Sequence, residues 1–269
     1  MHFVLGAYSV KKLVFVEGVS GVGKSTAVRA LGERLTARGH SVCCYLEGDS
    51  ASPLDLCWVA HFEKADYARF VAVNEPFQEV FERNRIDIGS DVLLRYRDGE
   101  KDLYTQEIMA EVQMREFCYP PPGVPLQKFQ EVFLGLWRRY VESNMDASCD
   151  YAVFDASLIG HTAADMLRSY NASIETIAHH VQALAACVQG FHPMALYLSS
   201  DDIGVRLAQA GQSQGQEPPT QEQTAFWTRR KAVDLAVLSR IPIKTHIIDI
   251  TDGCWDSAYD EMMEYVVDQ

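Results

Sequence analysis

Five short stretches of the chain are apolar at nearly every position: KLVFVEG (residues 12–18), SVCCYLEG (41–48), YAVFDAS (151–157), MALYLSS (194–200) and KTHIIDIT (244–251). Runs without polar alternation predict strands covered on both faces. Between them, apolar residues recur every three or four places. Strands interleaved with helices predict a parallel α/β sandwich with right-handed crossovers. The first helix is expected to stop at Gly39, with Arg38 in its last turn, because glycine tolerates the left-handed turn that ends helices. A second begins after Ser173, with Ile174, Ile177, Val181, Leu184 and Val188 on one face. KFQEVFLGLWRRYVESN places Phe129, Val132, Leu136, Trp137 and Tyr140 on another stripe, predicted to be core, and residues 256–267 form the last helix.

Two segments break this rhythm. Residues 50–150 separate the second and third strands, far more chain than a strand-to-helix connection needs. Their helical patterns and a YPPPG turn predict a helical insertion. Residues 208–223, AQAGQSQGQEPPTQEQ, are poor in apolar side chains and read as a mobile surface loop. Thr220 and Gln223 then form a capping box for a helix through TAFWTRRKAVDLAVLSR. No internal repeat is present.

The chemistry concentrates at the first strand-to-helix junction. GVSGVGKS, residues 18–25, meets every fixed position of G-x-x-x-x-G-K-[ST]. In that motif glycines let successive amides turn inward around phosphate, and the helix N-terminus adds partial positive charge. The nucleotide-binding set is therefore Gly18, Ser20, Gly21, Val22, Gly23, Lys24, Ser25 and Thr26, with Lys24 reaching the β- and γ-phosphates. Ser25 and Asp155 are the expected Mg²⁺ ligands, Asp155 because it ends the third apolar run at the edge where open α/β sheets bind ligands. A helix cap is the competing role for Asp155. The second run ends in LEGDS, so Glu47 and Asp49 reach the same edge, where a kinase needs a carboxylate to orient the acceptor or take its proton. Glu47 is preferred, being closer to the strand.

With these parts assembled, the chain resembles the P-loop small-molecule kinases of the nucleoside and nucleotide kinase type, which include deoxyribonucleoside and thymidylate kinases. The resemblance rests on GVSGVGKST, Glu47, FDASLIGHTAADML, LYLSSDDIGVRL and the loop before FWTRRK. It implies a five-stranded parallel sheet in order 2-3-1-4-5, a lid over residues 201–231 and acceptor binding in the 50–150 insertion. It also implies ATP (or GTP) as donor, Arg206 as the arginine leading into the lid, and Glu47 and Asp155 as the acidic positions. Two features depart from the family. Ala156 stands where an arginine usually follows the third-strand acid, and the lid carries Gln212, Gln214 and Gln216 in place of further arginines. Arg229 and Arg230 are the candidates to substitute, or else form a solvated helix face. The acceptor is then a nucleoside, a nucleotide or another hydroxylated natural product, with Trp58, Arg95, Tyr96, Arg97 and Arg115 as candidate contacts.

Composition narrows the field. With 269 residues, 48% of them apolar, the chain can bury the core of one domain with insertions. A net charge of −13 argues against nucleic acid or an anionic membrane as partner. No apolar run is long enough to span a bilayer, and the first ten residues lack a signal-peptide pattern. A cytoplasmic protein is expected, with a homodimer left open. The seven cysteines are irregularly spaced, and adjacent Cys43 and Cys44 point to opposite faces of a strand, suiting neither a routine bridge nor a shared metal. Buried reduced thiols are expected. No zinc set is assigned: His179 and His180 diverge on a helix, and His161 with Asp165 reads as a cap or surface pair beside the active-site edge. Two rival classes stay open. A GTPase switch would need a guanine-reading NKxD, which NRID (84–87) matches only superficially. A nucleotide-binding regulator without catalysis would account for the missing lid arginines.

Overall fold

The computed structural model describes residues 12–268, apart from 100, 119–122, 144, 145, 147 and 214. The first ten residues, the prolines of the YPPPG turn and Gln214 lie outside these. The chain runs from β1 (Lys12–Glu17) through the glycine loop into α1 (Lys24–Ala37) and on to β2 (Val42–Tyr45). The long insertion contributes β3 (Val59–Glu63), α2 (Lys64–Val73), α3 (Gln78–Asn84), β4 (Arg85–Ile88), β5 (Asp91–Arg95), β6 (Arg97–Asp98), β7 (Lys101–Asp102), α4 (Gln106–Gln113) and α5 (Leu126–Ser143). The chain then returns as β8 (Tyr151–Asp155), α6 (Gly160–Tyr170), α7 (Ile174–Cys187), β9 (Met194–Ser199), α8 (Ile203–Ser213), α9 (Gln221–Leu238), β10 (Lys244–Asp249) and α10 (Trp255–Val267).

The five expected strands form one all-parallel sheet in the order β2-β8-β1-β9-β10. Counted along the chain, these strands run 2-3-1-4-5. The continuous apolar runs have the expected cause. In β1, Leu13 and Phe15 face the layer of α5, α7 and α9, while Val14 and Val16 face α1 and α10. Trp137 stacks on Phe15 at 5.5 Å. Burying each such side chain contributes about 1.5–3 kcal/mol, so the central strand is held from both sides. The helices that start after Ser173 and Thr220 carry the caps read from sequence, with Ser173 accepting from the Thr176 amide and Thr220 and Gln223 forming a reciprocal box.

Three expectations need correction. The insertion is not only helical, because β3, β5 and β4 form an antiparallel sheet. Val59 and Leu93 join the main core, whereas Ala60, Phe62, Val92 and Leu94 join a second cluster with Phe70, Phe81 and Val112. A short sheet buried on both faces shows no alternation, so its runs pass for helical turns. Residues 208–213 are the second half of α8 rather than loop, since alanine and glutamine are good helix formers even without an apolar stripe. Finally, Cys43 is bonded to Cys149, with Cα atoms 6.1 Å apart. Strand alternation forbids a Cys43–Cys44 pair but leaves Cys43 facing the chain that enters β8. Cys44 and Cys254 are exposed, so the thiols are neither all reduced nor all buried. Among the described residues no helix is long and apolar enough to cross a membrane.

Candidate functional site

The glycine loop between β1 and α1 depends on three positive-φ glycines, Gly18 (143°), Gly21 (78°) and Gly23 (92°). At Gly23 a Cβ would come within 2.7 Å of the Trp255 ring, so this position requires glycine twice over, for φ and for space. Gly23 is also the N-cap of α1 and supplies no side-chain cap, which leaves the first-turn amides for another acceptor. Val19 and Val22 are buried and anchor the loop to the α1-side core. Lys24 is nearly buried, its Nζ donating to the Val19 carbonyl at 3.3 Å.

Parallel pairing of β1 with β8 sets Asp155 opposite Val16, at the strand ends beside the loop. Ser25 Oγ donates to Asp155 Oδ2 at 2.6 Å. Asp155 Oδ1 is buried and has no hydrogen-bond partner. Burial raises the Asp155 pKa, against the opposing pull of Lys24 and Ser25. An orphaned carboxylate oxygen beside a hydroxyl is a donor set of oxygens alone, which fits a small hard cation that keeps much of its water.

Sequence reasoning overlooked Glu17, the last residue of β1. It is fully buried and accepts from the amides of Leu158, Ile159 and Gly160, fixing the turn from β8 into α6. Only the burial of an acid at a strand end marks it, and sequence does not reveal burial of that kind. Burial pushes its pKa up to about 7, with Asp234 adding and the amides and Lys24 opposing. Burial likewise carries Glu116 and Asp165 to about 7. These carboxyls hold extra protons in the folded state, so their contribution is complete below the unfolded values and is lost as pH rises through about 7. The scale is about 1.4 kcal/mol per group for each pH unit separating folded and unfolded values. His180, lowered to about 4 by burial, works in the opposite direction below its ordinary value. The thermal midpoint is therefore expected to fall as pH rises from about 5 to 7 and to level off above that, measured by calorimetry across that range. A flat or rising profile between about pH 5 and 7 would contradict these ionisations.

Loop, insertion and the α8–α9 segment enclose one cleft of about 1400 Å³. Its lining includes Ser20, Gly21, Gly23, Lys24, Ser25 and Thr26 from the loop and α1, together with Glu47, Cys57, Trp58 and Arg97. Compared with known protein families and curated protein sequences, the chain matches none. Its own geometry has to carry the assignment.

Other residues singled out from sequence lie elsewhere. Asp49 Oδ1 accepts from the Ala51 amide in a local turn. Arg95 is buried and donates to the carbonyls of Ser52 and Asp55. Tyr96 is buried with its hydroxyl on Glu116, and Arg115 lies over the Phe62 ring, 3.9 Å from Glu111. Arg206 donates to the Ile250 carbonyl rather than lining the cleft. Arg230 is buried in an ion pair with Asp234 and donates to the Ile159 carbonyl, while Arg229 is exposed over Phe226. Among the described cleft residues the cations are Lys24 and Arg97, and the Arg97 guanidinium covers Trp58 at 5.0 Å.

His161 is not a surface residue. At the start of α6 its Nε2 lies 3.5 Å from Cys57 Sγ, 3.8 Å from Glu47 Oε1 and 3.9 Å from Asp55 Oδ1. Asp55 is itself fixed by the amides of Gly48 and Cys57, each at 2.6 Å. Burial opposes a charge on His161, but Cys57, Asp55 and Glu47 outweigh it and hold its pKa well above the ordinary value. The same burial pushes the Cys57 thiol up to about 11.

Proposed function

We propose that the protein is a P-loop phosphotransferase moving the γ-phosphoryl group of a nucleoside triphosphate, ATP in the first instance, to a hydroxyl of a small molecule. The single observation that carries most weight is the 2.6 Å hydrogen bond from Ser25 to Asp155. It joins the glycine loop to the neighbouring strand at the edge where open α/β sheets bind ligands. A loop serving only as a turn gives no reason for a buried, half-satisfied carboxylate at that point.

In this scheme the loop amides and Lys24 grip the β- and γ-phosphates and stabilise charge that spreads over the transferring group. Ser25 and Asp155 would hold Mg²⁺, which when bound neutralises phosphate charge. Glu47, another residue of the cleft lining, orients the acceptor hydroxyl and takes its proton as the oxygen attacks phosphorus. Trp58, in the same lining, carries the Arg97 guanidinium over its ring. With Lys24 and Arg97 as the cations of the described cleft, a neutral hydroxylated acceptor suits the site better than a phosphorylated one.

A guanine-reading switch is less well supported. Asn84 bonds back to the Val80 carbonyl and Asp87 pairs with Arg85, both within the insertion. Measuring ADP release from Mg·ATP with and without a panel of nucleosides and other polyols separates the classes. Acceptor-dependent release is the expected outcome. Acceptor-independent GTP hydrolysis, or tight nucleotide binding with no transfer to any acceptor, would count against a kinase.

A further inference from the structure

The cluster of Asp55, Cys57 and His161 has no task in phosphoryl transfer, yet it gathers a carboxylate, a thiol and an imidazole whose ligating atoms all lie within 4.8 Å of one another. We propose that these three side chains, joined by Glu47, form a binding site for Zn²⁺ on the wall of the cleft.

The donor set and the spacing both point to that ion. Zinc takes thiolate sulfur, imidazole nitrogen and carboxylate oxygen in a tetrahedral shell. Metal–sulfur bonds of about 2.3 Å and metal–nitrogen or metal–oxygen bonds of about 2.0–2.1 Å set ligand atoms roughly 3.3–3.6 Å apart. Here Cys57 Sγ and His161 Nε2 are separated by 3.5 Å, and the carboxylates of Glu47 and Asp55 approach the same nitrogen at 3.8 and 3.9 Å. The ligating atoms of Asp55, Cys57 and His161 already lie within 4.8 Å of one another, and closing the shell requires the Glu47 carboxylate to swing in from outside that group.

The support around the ligands is in place as well. The two amides on Asp55 fix its carboxylate without consuming every lone pair. Cys57 follows two residues later on the same rigid turn, and its neighbour Trp58 holds a left-handed φ of 58° that keeps the turn tight. Cys57 and Glu47 border the cleft, which gives an ion its path inward. On coordination the Cys57 S–H bond is replaced by a sulfur–zinc bond, and the thiol proton, with any proton on the imidazole Nε2, passes to solvent. Zinc keeps its oxidation state throughout. Ser25 and Asp155 offer oxygen alone, so a thiolate-preferring ion discriminates between the two places on the cleft.

Zinc binding does not rest on the phosphotransferase assignment, but its consequence does. An ion that holds Glu47 withdraws the carboxylate assigned to the acceptor, so zinc would inhibit transfer while leaving nucleotide binding intact.

Cobalt(II) added to the full-length metal-free protein tests the site directly, because a thiolate–cobalt charge-transfer band reports sulfur ligation without any activity assay. One equivalent per chain is expected to saturate the band, and Zn²⁺ to abolish it by displacement. Cys57→Ser and His161→Gln should each remove it while unfolding at temperatures near that of the parent protein. Cys43→Ser and Cys118→Ser should keep it, and Glu47→Gln should weaken cobalt affinity by about 10–100-fold. Absence of a band at stoichiometric cobalt would overturn the proposal. So would a band that survives Cys57→Ser or vanishes in Cys43→Ser, which would move the metal to the Cys43–Asp146–Cys149 group with its disulfide reduced. Cobalt binding with no ADP release for any acceptor would leave the zinc site standing and remove only its regulatory consequence.

Discussion

Replacing Lys24 with alanine is expected to cut nucleotide-dependent turnover by about 10²–10³-fold, or roughly 2.7–4 kcal/mol of transition-state stabilisation. Its ammonium is the one cation on the loop side of the cleft among the described residues, and its present hydrogen bond is a single 3.3 Å contact with the Val19 carbonyl. A donor held that loosely is ready to exchange a carbonyl for phosphate oxygen. Steady-state kinetics alongside thermal unfolding separates chemistry from folding: the variant should unfold within a few degrees of the parent. Lys24 also opposes the upward pKa shifts of Glu17 and Asp155, so its removal should leave both carboxyls more protonated near neutral pH. Turnover within a factor of two or so of the parent would detach Lys24 from phosphate chemistry.

The second large effect is expected from Glu47→Gln. Losing a positioned general base typically costs about 10²–10⁴-fold, and glutamine keeps the shape while forfeiting the proton acceptor. Acceptor-dependent turnover should fall on that scale with nucleotide affinity unchanged. Glu47 is preferred over Asp49 on geometry, since Asp49 is engaged with the Ala51 amide, whereas Glu47 borders the cleft. Full activity in Glu47→Gln would transfer the role to another group. A loss of nucleotide affinity instead would place Glu47 on the donor side.

Local pattern made much of this legible. The five strands of the main sheet were readable because a parallel strand buried on both faces has no polar alternation to confuse it. The glycine loop was readable because its backbone conformation demands glycine at fixed places. Asp155 could be placed because it ends an apolar run, and run ends lie on one sheet edge. Long-range companionship was not legible. Cys57 and His161 meet across 104 residues, and nothing in the i, i+4 spacing of His161 and Asp165 announces a neighbour from the insertion. Glu17 reads as the polar end of a strand, and only the fold reveals three amides converging on it. Arg95 and Tyr96 looked like ligand contacts because sequence cannot distinguish an arginine serving buried carbonyls from one facing a cleft. Arg230 illustrates the same ambiguity, its charge consumed by Asp234 inside the molecule.

The loss of lid arginines acquires a physical meaning in this light. Arg206 is turned to the Ile250 carbonyl, so closure of the α8–α9 segment over a nucleotide would have to bring it around or manage with Lys24 alone. Turnover that is slow but acceptor-dependent fits such a site better than the rates of a fully armed kinase.

The central claim is that the amides and lysine at the β1–α1 junction enclose a polyphosphate. Isothermal titration of the protein with a non-hydrolysable ATP analogue and Mg²⁺ tests it most directly, with Lys24→Ala titrated in parallel. Saturable binding at one site per chain, weakened at least about tenfold in the variant, is the predicted result. No detectable heat at millimolar analogue, or equal affinity in both proteins, would contradict it.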